Sequence, residues 1–107
     1  MTEEQGFDLI TTIVERGEAD RVTRAALQAG APGATIVPGR GTGVRQRLGV
    51  LGWAIQPEKE VILIVTPRGI TETVFQALVQ AARLEESGRG FANVHPVSRA
   101  ARFPYWV

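Results

Sequence analysis

A chain of 107 residues, 44% apolar and 21% charged, has the size and composition of one globular domain, and no composition shift divides it. Its formal charge of +1, from eleven Arg, one Lys and eleven acidic residues, excludes a dedicated nucleic-acid binder, because no net basic field is there to release phosphate counterions. The absence of Cys excludes disulfides, thiol catalysis and Cys-based zinc sites, and the longest apolar stretch, Val61 to Val65, is far too short to cross a bilayer.

Met1 to Gln5 is acidic and is not followed by a signal-type apolar run, so a cytoplasmic location is expected. Phe7 to Val14, rich in Ile, Val, Thr and Phe, reads as a strand. After a turn at Glu15-Arg16-Gly17, Val22, Ala25, Ala26 and Ala29 recur on one face of a helix. Gly30 suits the C-terminus of that helix, and Pro32 discourages its continuation. Ala34 to Val37 is a short second strand.

Val61 to Val65 has no polar residue and reads as a strand in the middle of a sheet. Arg68-Gly69 turns the chain. Ile70, Val74, Ala77, Leu78 and Ala81 then outline a second amphipathic helix, ending near Glu85. Phe91 to Val97 is the last strand, and Pro96 places it at an edge or its end at a strand terminus.

The two halves match at one offset. Arg16-Gly17, Val22, Ala25, Ala26 and Ala29 correspond to Arg68-Gly69, Val74, Ala77, Leu78 and Ala81, each 52 residues on. One strand-helix-strand unit used twice predicts an α+β, ferredoxin-like (βαβ)2 fold over residues 1–107. Its four-stranded antiparallel sheet carries both helices on one face. Val61, Leu63 and Val65 then point to one face and Ile62 and Ile64 to the other, and whichever apolar face the helices leave uncovered is expected to pair with another copy of the chain.

Two Gly-rich runs stand out. In Gly39-Arg40-Gly41-Thr42-Gly43 the backbone amides can approach a phosphate closely, because no Cβ intervenes; a flexible hinge is the other reading. The run is not a P-loop, since no Gly-Lys-Ser/Thr follows. Gly88-Arg89-Gly90 repeats the pattern between the second helix and the last strand. Lys59, placed just before the central strand, and Arg99 and Arg102 near the C-terminus add cations. Together these suggest a phosphate clamp made from both turns. Thr42 to Pro57 fits no element, and a loop of that length in a small domain is usually functional. Trp53 within it is either an interface anchor or packed on its own protein. Catalysis finds no support. His95 is the only histidine, and no nucleophile set, carboxylate cluster or metal-ligand spacing is readable, so a regulator rather than an enzyme is expected.

From Phe7 to Phe103 the chain resembles the PII signal-transduction superfamily, in particular its divergent PII-like branch. The likeness rests on Phe7–Val14, Gly30-Ala31-Pro32-Gly33-Ala34-Thr35-Ile36, Gly39–Gly43, Pro57-Glu58-Lys59-Glu60-Val61 and Gly88-Arg89-Gly90-Phe91, in that order and spacing. The resemblance implies a trimer that binds ATP, ADP or AMP between subunits and engages partners through a T-loop, here about 42–57. It implies nucleotide contacts at Thr35, Gly41, Gly43, Lys59, Val65, the B-loop residues Gly88, Arg89 and Gly90 (B-loop about 86–91), and Arg99 and Arg102 from a neighbouring subunit. Arg45, Gln46, Arg47 and Trp53 are the effector and T-loop candidates.

Departures from the nitrogen-signalling pattern are specific. Thr42 to Pro57 has no Tyr, and the place of the glutamine that helps hold 2-oxoglutarate through magnesium falls to Val44, Arg45 or Gln46. Arg89 replaces a usual acidic residue and Phe91 a usual lysine. The resemblance therefore favours ADP or AMP over Mg-ATP and bicarbonate as second effector. The implied partner is an inorganic-carbon transporter or carboxysome-associated protein. Nitrogen control through 2-oxoglutarate, a CutA-type metal-tolerance protein and a small enzyme using the Gly-rich turns for a phosphorylated substrate are the alternatives.

Overall fold

A run rich in β-branched and aromatic residues sets the first element. β1 (Phe7–Glu15) buries Asp8, Ile10, Thr12 and Val14 and leaves the intervening side chains half-buried, the period of a strand covered on one side. α1 (Ala19–Gln28) follows, then β2 (Thr35–Arg40), β3 (Glu58–Pro67), one 3-10 turn at Arg68–Ile70, α2 (Thr71–Ala82) and β4 (Gly90–Val97). The computed structural model describes residues 6–41 and 58–101.

The strands form one antiparallel sheet in the order β2-β3-β1-β4. This is the expected ferredoxin-like arrangement, with the two central strands each opening one half of the chain. The repeat is visible in the element bounds. α1 begins at Ala19 and α2 at Thr71, the same 52-residue step that separates Glu15 and Pro67, the ends of β1 and β3. Ile10, Val14, Ile62 and Ile64 on one sheet face pack with Val22 and Ala26 of α1 and Val74 and Leu78 of α2, all almost fully buried. Each such aliphatic side chain contributes about 1.5–3 kcal/mol by burial.

Both helices end in the same way. Past α1, Ala31 N–H donates to Ala26 O and Gly30 N–H to Leu27 O, with Gly30 at φ +113°. Past α2, Leu84 N–H donates to Val79 O and Arg83 N–H to Gln80 O, with Arg83 at φ 54°. These are Schellman caps, and the second puts an Arg where glycine is favoured.

Three boundaries differ from the sequence reading. β2 runs on to Arg40, so Gly39 and Arg40 belong to the strand, paired with Lys59 and Glu58, and are not part of a loop. Lys59 accordingly lies inside β3 and does not precede it. The ladder accepts this because Gly39 and Arg40 offer backbone groups like any other residue, and β2 is an edge strand where a Pro38 is tolerated. α2 stops at Ala82, before the expected Glu85, because Arg83 turns left-handed.

The sheet face opposite the helices carries Phe7, Leu9, Thr11 and Ile13 of β1, with Val61, Leu63 and Val65 of β3, Thr35 and Val37 of β2, and Phe91, Asn93, His95 and Val97 of β4 paired beside them. No described element covers it, and Phe91 is 55% and Val37 41% exposed. Pro96 lies on β4, an edge strand, where proline is tolerated.

Candidate functional site

One end of the sheet gathers the Gly-rich runs. β1 and β4 are antiparallel, so the end of β1 at Val14 meets the start of β4 at Gly90. β3 begins at the same end, and Lys59 lies between Glu15 of β1 and Gly39 of β2. A cleft of about 390 Å³ opens there, lined by Gly39, Arg40 and Gly41 on one side, Gly88, Arg89 and Gly90 on the other, and Lys59, Val61, Ile13, Val14 and Phe91 between them.

Gly90 is required by space as well as by conformation. At φ +154° a Cβ built on it would fall 2.3 Å from the Ile13 carbonyl oxygen. The turn thereby approaches β1 more closely than a residue with a Cβ could. Gly41 stands over Lys59, whose Cγ lies 3.8 Å from where a Cβ would be.

Two cations of the cleft, Lys59 and Arg89, are paired within the chain. Lys59 Nζ donates to Glu15 Oε2 at 3.3 Å, with the lysine side chain only 12% exposed. Arg89 Nη2 donates to both oxygens of Glu18, at 3.1 and 3.3 Å. Glu18 Oε1 also accepts from Arg21 Nη2 at 3.2 Å, and Arg21 reaches on to the Ala81 carbonyl at the end of α2. A network Arg89–Glu18–Arg21 therefore ties the Gly88–Gly90 turn to the start of α1 and the end of α2. Glu60, next to Lys59, turns the other way: its Oε1 accepts from Gly17 N–H at 2.8 Å and Ala19 N–H at 3.0 Å, capping α1 in place of a local side chain.

Of the residues singled out from sequence, Gly41, Lys59, Gly88, Arg89 and Gly90 line the cleft. Thr35 and Val65 do not. Val65 is six residues along β3 from Lys59 and pairs with Leu9, roughly 20 Å away at the rise of a strand. Arg99 follows β4, whose last residue Val97 pairs with Phe7, again at the far end of the sheet. Val65 and Arg99 thus lie toward the end opposite the cleft, while Thr35, paired with Leu63, lies between the two ends. Gly43, Arg45, Gln46, Arg47, Trp53 and Arg102, and the loop of about 42–57 to which most of them belong, lie outside the described residues.

Glu15, Glu18 and Glu60 were not foreseen as site residues. Their partners are 44, 71 and 43 residues away in the chain, and no local pattern signals such pairs. Among the described residues no group of three or more His, Cys, Asp or Glu could hold a metal ion, and no helix is long and apolar enough to cross a membrane.

The computed structure is similar to that of Arabidopsis thaliana PII bound to citrate, with a TM-score of 0.73 and 26% identity, covering 96% of this chain and 88% of that one. A Bacillus cereus protein related to NIF3 shares the fold at a TM-score of 0.70 and 24% identity; the match covers 89% of this chain but 26% of that longer one. No curated protein sequence matches. The family model for nitrogen regulatory protein P-II matches residues 7–103, and with it the chain belongs to the nitrogen regulatory protein P-II family.

Proposed function

We propose that this P-II family regulator senses an adenine nucleotide between the subunits of a homotrimer and passes the signal to a partner through the loop of about 42–57. The observation that carries the proposal is the cleft that gathers both Gly-rich turns around Lys59. Backbone amides at Gly41, Gly88 and Gly90 suit the phosphates, and Lys59 supplies the charge. Val65 and Arg99, toward the opposite end of the sheet, and Thr35, on β2 between the two ends, suit the other half of the same site in a neighbouring subunit, with Arg102 near Arg99 in sequence. The bare sheet face between the two ends is the surface on which subunits meet.

Gly41 is the residue at which the described strand gives way to residues 42–57, so a phosphate held there touches the base of the loop. A ligand shifts an equilibrium only by its differential affinity for two states, and direct contact at the loop base provides one. Arg45, Gln46 and Arg47 are the candidates for a second, anionic effector, and Trp53 for the partner contact. Bicarbonate is the effector we favour, with a membrane transporter of inorganic carbon or a carboxysome-associated protein as the partner class and the cytoplasm as the compartment. Magnesium is not needed for this reading.

Calorimetry against ATP, ADP, AMP, 2-oxoglutarate, bicarbonate and citrate, the last because the Arabidopsis protein is bound to it, tests the proposal. Binding of an adenine nucleotide, with bicarbonate binding in its presence, is the expected result. Binding of 2-oxoglutarate with ATP and not of bicarbonate would return the protein to nitrogen control, and no nucleotide binding at all would sink the proposal.

A further inference from the structure

Arg89 and Glu18 are 71 residues apart in sequence, yet the carboxylate takes both of its contacts to Arg89 from one nitrogen, Nη2. The Arg89 Nε–H is buried and has no partner among the described residues. A guanidinium with a buried donor unmet is incompletely satisfied, and a phosphate, with its forked oxygens, satisfies Arg better than a one-nitrogen contact does. Glu18 in turn is not left alone if Arg89 departs. Its Oε1 keeps the bond from Arg21, and its side chain is 21% exposed and within reach of water. Gly90, pressed on Ile13, holds the backbone of the turn while the Arg89 side chain changes partner.

We propose that Glu18 is a specificity-determining residue that competes with an anionic ligand for the Arg89 guanidinium, so that filling the cleft makes Arg89 exchange Glu18 for phosphate. The proposal rests on the reading of the cleft as a phosphate site and goes beyond it. It assigns to a residue outside the cleft lining the control of how strongly the cleft holds charge. Ligands with more phosphate oxygens compete better, so Glu18 sets the spacing between mono- and diphosphate affinities as well as the affinity itself.

A double-mutant cycle tests this. ADP and AMP are titrated by calorimetry at fixed ionic strength into wild type, Glu18→Gln, Arg89→Gln and the double variant, with inorganic pyrophosphate as a second probe. Thermal melts confirm that each variant is folded. Glu18→Gln is expected to bind ADP about tenfold more tightly, with a smaller gain for AMP, and to change ADP affinity less than about twofold when Arg89 is already Gln. An equal gain in both backgrounds would mean that Glu18 acts only through its general field, and no gain in either would mean that it does not compete; both outcomes overturn the proposal. Pyrophosphate binding that follows the cycle without nucleotide binding would support the exchange and reject the nucleotide reading. Failure of every probe to bind would reject both.

Discussion

Glu60 shows how a single side chain fixes the geometry near the cleft. Its carboxylate accepts from the Gly17 and Ala19 N–H groups at the start of α1, where Glu18 makes no side-chain cap of its own, and reaches them from β3 across 43 and 41 residues. Glu60→Ala is expected to cost about 1 kcal/mol of stability, the ordinary worth of a lost N-cap. Urea unfolding at fixed protein concentration measures it, and an unchanged midpoint would show that water replaces the cap at no cost. Arg83 offers the opposite case. It stands at φ 54°, in the left-handed position of the Schellman cap where α1 has Gly30. Arg83→Gly is expected to stabilise the fold by about 0.5–1 kcal/mol, because the Cβ strain is removed and only part of the gain is lost to the freer unfolded chain. A destabilised Arg83→Gly would mean that the arginine side chain makes contacts worth more than the strain. Neither residue was legible in the sequence. A cap supplied from a distant strand leaves no local signal, and a left-handed Arg looks like any surface Arg.

At the scale of elements much more was legible. The Ile, Val, Thr and Phe content of Phe7–Val14, the helical spacing of Val22, Ala26, Val74 and Leu78, and the 52-residue offset identify the two units, and those four residues lie on the buried faces of the helices, two on each. What failed were strand ends. β2 and β3 continue through Gly39-Arg40 and Glu58-Lys59-Glu60, residues whose polarity and missing side chain suggest turns, because pairing between the strands outweighs local preference there. The extension has a consequence for the site: it puts Lys59 on a ladder between Glu15 and Gly39, held by strands on both sides. The bare sheet face is the other element-scale feature. Leu63 lies at its centre, paired with Thr11 and Thr35. Leu63→Glu is expected to leave the buried core side chains in place, since they project from the other face, and to convert the proposed trimer to monomer. Light scattering reads the change, and a trimeric Leu63→Glu with native circular dichroism would move the subunit interface elsewhere.

For the molecule as a whole, the proposed site takes the cleft end of one subunit and Thr35, Val65 and Arg99 of its neighbour, so on that proposal no single chain is sufficient. Oligomer and ligand are then linked: a nucleotide that bridges subunits stabilises the assembly by mass action. Wild type is expected to scatter light as a particle near three times 11.6 kDa. The most direct test of the central claim is the ADP affinity of Lys59→Ala, measured by calorimetry together with its mass. Lys59 is held inside β3 and its removal takes one charge from the cleft while leaving the bare face intact. A loss of at least about tenfold in ADP affinity with the trimer mass unchanged is the result the account predicts. ADP binding equal to wild type would contradict it, because the cleft between the two Gly-rich turns would then not be where the nucleotide sits.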